Sequence, residues 1–113
     1  MPNINIRTNV AVTDPQSDAI REFLGKAITI LPGKTEEYLM VSILPQAKMY
    51  FKGSDAPCAM IEVQLLGSAG AEYYEKMTSA LCGGLSRLLG IKPDRIYTKY
   101  EEYKYWGCNG RNF

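Results

Sequence analysis

The chain reads as one pattern written twice, and that repeat limits the fold more than any single motif. Residues 3–10 (Asn-Ile-Asn-Ile-Arg-Thr-Asn-Val) alternate polar and apolar and predict a strand with Ile4, Ile6 and Val10 toward the core. Thr13-Asp14-Pro15 combines a capping side chain with a proline in the first helical turn. Ile20, Phe23, Leu24, Ala27, Ile30 and Leu31 then recur at helical spacing, and Pro32-Gly33 stops the helix. Tyr38–Leu44 is a nearly continuous apolar run, as in a strand covered on both faces, and Pro45 ends it. After a short strand at 48–51 and a loop at 53–57, a strand over 58–66, a helix from Glu72 to Leu89 and a strand at 96–100 repeat the order. The second helix carries Tyr73 or Tyr74, Met77, Leu81, Leu85 and Leu88 on one face, with Gly90 as its C-terminal cap.

A shift of 58 positions carries residues 4–10 onto 62–68, helix 18–31 onto 76–89 and Lys34-Thr35-Glu36 onto Lys92-Pro93-Asp94. Strand–helix–strand in each half means a right-handed βαβ crossover. Two such units side by side predict an α/β (α+β) fold: a four-stranded mixed sheet with both helices on one face, in a single domain spanning 1–113. The other sheet face would be bare. An apolar bare face calls for a neighbouring copy of the chain.

The residue inventory then excludes whole classes of chemistry. There is no His among the 113 residues, which removes the commonest general base, the Ser-His and Cys-His dyads and most zinc sites. Acid–base work falls to carboxylates, Lys, Tyr, Cys or the chain terminus. Thirteen basic residues face twelve acidic ones, a net charge of +1, so bulk electrostatics favours neither nucleic acid nor a membrane surface. Cys58, Cys82 and Cys108 are too few and too spread for a disulfide framework and predict free thiols in a reducing compartment. No run of about 18 apolar residues exists for a membrane helix. The N-terminus lacks a basic-then-apolar leader. A cytoplasmic location is expected.

The first residues offer a candidate base. Met1-Pro2 runs straight into the first strand. If Met1 is removed, Pro2 becomes a secondary amine at the mouth of a folded sheet, and burial and nearby cations would lower its pKa toward neutrality. Lys34 follows the Pro32-Gly33 stop, and two readings are open for it: service to the helix C-terminal dipole, which the periodicity favours, or an anion clamp near the sheet edge. Gly67-Ser-Ala-Gly70 precedes a helix but lacks both phosphate-loop spacings. Gly83-Gly84 allows a close packing partner or marks a kink. Glu36-Glu37 and Glu101-Glu102 read as solvated faces. The tail Tyr103-Lys104-Tyr105-Trp106 mixes basic and aromatic residues as single-strand binders do, but at net charge +1 a packed aromatic cluster is favoured. Gly107 and Gly110 break that tail into turns or a short hairpin.

Taken together, Met1-Pro2, Thr8-Asn9-Val10, Gly33-Lys34, Phe51-x-Gly-Ser-x-x-Pro-Cys58, the Gly67 turn, Leu81-Cys82-Gly83, Pro93-Asp94-Arg95-Ile96-Tyr97 and Gly107-x-Asn109-Gly110-x-x-Phe113 resemble the macrophage migration inhibitory factor family of the tautomerase superfamily. The resemblance covers the whole length. It implies a homotrimer with an inner barrel of three sheets, and keto–enol tautomerisation of phenylpyruvate-like α-keto acids, dopachrome being a further substrate, with no metal or cofactor. It implies Pro2 as catalytic base and Lys34 with the Leu66 backbone N–H as holders of the substrate carboxylate. Tyr97 and Lys99 would enter from a neighbouring subunit, with Asn3 and Trp106 as walls. The family's cytokine members imply an alternative: a signalling or host-modulating protein with a protein receptor, secreted without a signal peptide, in which catalysis is vestigial. The chain departs from the family pattern at Lys99, where Asn is frequent, and at Trp106, where a small aliphatic is common. It also has Ile61 in place of the second cysteine of a CxxC, so thiol-oxidoreductase chemistry is not implied.

Overall fold

A computed structural model describes all of residues 1–113. Its main sheet contains β1 (Pro2–Thr8), β2 (Met40–Leu44), β3 (Ala59–Leu66) and β4 (Ile96–Tyr103) in the order β2-β1-β3-β4. β1 pairs parallel with β2, β3 parallel with β4, and the two units meet antiparallel at β1 and β3. Helices α1 (Asp14–Ala27) and α2 (Ala71–Leu89) make the crossovers. This is the expected doubled βαβ fold with a mixed sheet.

Local chemistry sets the helix ends. Thr13 accepts from the Gln16 backbone N–H, and the Gln16 side chain accepts from the Thr13 N–H, a full capping box ahead of Pro15. α2 ends on Gly90, whose φ of 71° is left-handed and whose N–H bonds the Ser86 carbonyl. α1 finishes sooner than expected, at Ala27, and a 3₁₀ turn over Ile28–Ile30 carries the apolar stripe on to Leu31.

The core lies between sheet and helices. Ile4 and Ile6 of β1 and Ile61, Val63 and Leu65 of β3 meet Ile20, Leu24 and Ile28 from the first crossover and Met77, Leu81 and Leu85 from α2, all at most 1% exposed. Each such aliphatic contributes about 1.5–3 kcal/mol by leaving water. The helices touch closely at Gly84, where a Cβ would collide with the Phe23 ring. Of the two readings of Gly83-Gly84, close packing holds at Gly84.

Four further expectations are corrected. The repeat spacing is 57, not 58: Ile20 corresponds to Met77, Leu24 to Leu81, Gly33 to Gly90, and the 3₁₀ turn Glu36–Tyr38 to Pro93–Arg95. The reason is the strand period of two. Even-numbered Ile4 and Ile6 face the helices, as do odd-numbered Ile61, Val63 and Leu65, so only an odd shift keeps the faces together. Lys92 is therefore not the repeat mate of Lys34.

Residues 48–51 form no strand. The segment has no regular structure and does not pair with the sheet; Phe51 bridges Ser54 around a Lys52-Gly53 turn. The sheet face away from the helices is polar at its centre rather than apolar. Asn3, Asn5 and Arg7 of β1 and Glu62 and Gln64 of β3 lie there, linked by Asn3–Gln64 at 2.8 Å, Arg7–Glu62 at 3.9 Å and Lys99–Glu62 at 3.3 Å. Apolar groups lie toward its edges: Met40, Leu44 and Tyr97 are each more than half exposed. Tyr38 is in the turn before β2, so the strand is shorter than the apolar run.

Candidate functional site

The site is built where β1 begins, β3 ends and the turn after α1 arrives. Pro2 opens β1 opposite Leu65 and is buried. The Met1 carbonyl accepts from the Leu66 N–H at 3.0 Å, which fastens the N-terminus to the end of β3. Standard peptide geometry puts the Pro2 nitrogen about 2.3 Å from that same carbonyl oxygen. The Pro2 nitrogen thus sits next to a backbone donor held by the sheet.

Lys34 arrives on the turn at Gly33, whose φ of 76° is the left-handed value glycine tolerates. The Lys34 N–H bonds the Leu31 carbonyl at 3.1 Å, and its Nζ donates to the Leu66 carbonyl at 2.9 Å. The ammonium therefore stands at the strand ends, beside the N-terminus, and not on a helix dipole. Burial first, then the charge of Lys34 and a hydrogen bond with it, hold the Met1 amine below its ordinary pKa of 8.0.

Beside this point opens a cleft of about 580 Å³, lined by Met1, Pro2, Asn3, Gln64 and Trp106 and by the segment Glu37–Met40, with Gly107 and Cys108 at its rim. Trp106 is held in a T-shaped contact with Tyr103, ring centroids 5.8 Å apart, and its carbonyl accepts from the Phe113 N–H. The tail after it is a hairpin, β5 (Gly107–Cys108) with β6 (Arg111–Asn112), turned on Asn109-Gly110 with both φ values positive.

Five of the seven expected site residues thus gather around the N-terminus: Pro2, Asn3, Lys34, Leu66 and Trp106. Tyr97 and Lys99 do not join them within one chain. Tyr97 pairs with Met60, five positions along β3 from Leu65, roughly 16 Å away at strand rise. Its ring packs on Phe51 at 4.4 Å, and with Met49, Tyr50 and Met60 it lines a separate apolar recess of about 250 Å³. Lys99 is paired with Glu62.

Sequence reasoning missed Glu37, Tyr38, Met40 and Gln64 as lining groups. Glu37 reads as a solvated carboxylate, yet the short 3₁₀ turn after Lys34 brings it and Tyr38 to the cleft. Gln64 could be found from strand parity, because it shares a face with Glu62 and lies opposite Asn3 in the register. All three cysteines are free; Cys58 is buried and Cys108 exposed. No helix is long and apolar enough to cross a membrane.

Comparison with known proteins agrees over the full length. The family model for macrophage migration inhibitory factor matches residues 1–112. The Mus musculus macrophage migration inhibitory factor is 32% identical over 118 residues, covering 100% of this chain and 99% of the relative. A Xenopus laevis D-dopachrome decarboxylase-B is 28% identical, covering 97% and 95%. The crystal structure of Leishmania major MIF2 superposes with a TM-score of 0.94 at 27% identity, covering 100% of this chain and 97% of that one. The doubled βαβ sheet, the Pro2–Lys34–Leu66 cluster and these matches lead to one assignment: the chain belongs to the macrophage migration inhibitory factor family of the tautomerase superfamily.

Proposed function

We propose that this protein, once Met1 is removed, is a cofactor-independent keto–enol tautomerase acting on phenylpyruvate-type α-keto acids, with Pro2 as general base. The observation that carries this reading is the meeting of the N-terminus with the Lys34 ammonium and the Leu66 backbone, where burial and that cation already depress the terminal amine. Lowering the pKa of a base raises its neutral, proton-accepting fraction at pH 7. With Met1 attached, the Pro2 nitrogen is an amide and has no basic lone pair. The Leu66 N–H is then filled by the Met1 carbonyl. Loss of Met1 creates the base and frees a donor beside it in one step.

In the proposed mechanism the substrate carboxylate binds Lys34 Nζ and the freed Leu66 N–H. The Pro2 nitrogen takes the proton from the carbon next to the ketone, negative charge moves to the ketone oxygen, and the proton returns there as the enol forms. Lys34 orients the anion and stabilises the growing charge. Asn3 and Trp106 wall the aryl group. In a homotrimer Tyr97 and Lys99 of an adjoining copy complete the pocket. The unpaired outer edges of β2 and β4 and the exposed Met40, Leu44 and Tyr97 support such an assembly. The similarity to a D-dopachrome decarboxylase-B makes dopachrome a second substrate to assay.

The test compares chains beginning at Pro2 with a Pro2→Gly variant and with Met1-bearing protein, following ultraviolet loss of the phenylpyruvate enol. Only the first is expected to turn over rapidly. Equal rates from the Pro2 and Gly forms would sink the base. Sedimentation gives the assembly, expected at three times the 12.6 kDa chain.

A second reading, a signalling protein that binds a receptor, follows the printed name of its relatives. It predicts receptor binding that survives Pro2→Gly.

A further inference from the structure

The two adjacent glutamates in the turn after Lys34 have different surroundings. They stand next to each other in the 3₁₀ turn Glu36–Tyr38, where neighbouring side chains point about 120° apart. Glu36 lies back over Gly25 of α1, where a Cβ would strike its carboxylate. Glu37 lines the cleft beside Pro2. Of the eleven residues that line this cleft, Glu37 alone has a charged side chain. None of the four ion pairs in the chain includes it. Lys34, three positions earlier, is committed to the Leu66 carbonyl at 2.9 Å.

The cleft therefore has two electrical ends. At the strand ends the Lys34 ammonium acts on the terminal amine. The shift of that amine has burial and Lys34 as its causes and no carboxylate among them, so Glu37 stands apart from this end. Its charge is left for whatever enters the cleft. Tyr38, exposed beside it, and Trp106 supply two aromatic rings to the same lining. A carboxylate with aromatic faces near it attracts a cation and repels a second anion.

We infer that Glu37 is a specificity-determining residue, which selects keto acids whose side chain ends in a cation over those ending in a neutral group, and rejects those ending in a second carboxylate. The inference rests on the tautomerase reading for the keto acid class, but its test needs no turnover. A ligand whose own carboxylate occupies Lys34 and the Leu66 N–H leaves its far end to meet Glu37. An ion pair with an exposed side chain is modest in strength and is screened by salt. The discrimination is therefore several-fold, and it carries a salt dependence that selection by shape lacks.

The probes are three phenylacetates of similar size, carrying a 4-methyl, 4-aminomethyl or 4-carboxy group. They are titrated into chains beginning at Pro2, with Trp106, the only tryptophan, as the fluorescent reporter. At low salt the aminomethyl ligand is expected to bind about three- to fivefold tighter than the methyl one, and the carboxy ligand about three- to fivefold weaker, the scale of one exposed ion pair. Raising the salt to about 0.5 M should shrink both ratios toward one. Glu37→Gln should bring the three affinities within about twofold of one another at low salt, with the methyl ligand bound as by the parent. Glu37→Asp keeps the charge and should preserve the order, a rescue that packing alone would not give. Both substitutions fall on an exposed turn residue without an ion-pair partner, so the fold is expected to stand, and sedimentation checks the assembly. Equal binding of the three ligands by the parent chain, or an order that persists in Glu37→Gln, would overturn the inference. So would a changed assembly mass in Glu37→Gln, which would place Glu37 in a contact between copies rather than on a ligand. Absence of Pro2-dependent turnover with the charge order intact defeats the tautomerase reading alone. Pro2-dependent turnover without the charge order defeats this inference alone.

Discussion

Replacing Lys34 by Met separates the two effects assigned to its ammonium. The methionine keeps most of the stem, so packing near Leu66 changes little. An ammonium has three N–H donors, and one is spent on the Leu66 carbonyl at 2.9 Å. The others are free for a substrate carboxylate. A hydrogen bond between charged groups is worth about 1.5–3 kcal/mol, and the lower end applies in a cleft open to water. KM for phenylpyruvate is therefore expected to rise about 10- to 30-fold. The plateau kcat should change by less than about threefold, since the clamp binds ground and transition states alike. The second effect has its own sign. Burial is the largest cause of the depressed terminal amine, and Lys34 supplies the rest. With Lys34 gone the base becomes stronger, so the acid limb of the pH–rate profile moves to higher pH. Steady-state enol decay measured across the pH range in chains beginning at Pro2 reads both quantities. An unchanged KM with an unmoved acid limb would refute the placement of Lys34 at the carboxylate and the base.

Three further outcomes are expected. Arg95 donates from Nε to the Pro57 carbonyl and from its two Nη atoms to those of Phe51, Ser54 and Ala56, all within 3.1 Å. Arg95→Ala should therefore cost about 1.5–3 kcal/mol in urea unfolding, and Arg95→Lys should rescue little because an ammonium cannot span that fork; full recovery by Lys would contradict this account. Thr8 is fully buried and donates to the Cys58 carbonyl at 2.7 Å, so Thr8→Val is expected to lose about 1–3 kcal/mol by stranding that acceptor, read as a lower thermal midpoint. In the Met1-bearing chain the amine's folded pKa lies below 8.0, so the unfolded chain binds more protons between the two values. Stability then rises with pH through that window and levels off near pH 8, with no His titrating there to mask it; a flat urea midpoint would count against the depressed amine.

The start of α1 and the end of α2 were readable because their signals are local, whereas the end of α1 was not: it falls at Ala27, ahead of the Pro32-Gly33 stop. Thr13 with Gln16 three residues on makes a capping box wherever that stretch lies, and Gly90 relieves the same left-handed strain in any helix of this kind. The doubled βαβ order followed from element periods alone. The Pro2, Lys34 and Leu66 cluster was legible through the family resemblance. Periodicity by itself favoured a helix-dipole role for Lys34, whose actual partner lies 32 positions away at the end of β3.

What the chain by itself determined was the order and kind of its elements, the absence of imidazole chemistry and the presence of a proline at the head of a strand. The tertiary structure fixed the frame of the repeat, because a one-residue slip exchanges the two faces of every strand and burial shows which parity faces the helices. It also decided that the open face is a polar network, that residues 48–51 stay outside the sheet, and that Gln64 stands opposite Asn3 and accepts a hydrogen bond from it in the cleft wall. Each of these depends on which residue stands opposite which across β1, β3 and β4. That register is set by burying one face of the whole sheet at once, and no window of sequence contains it.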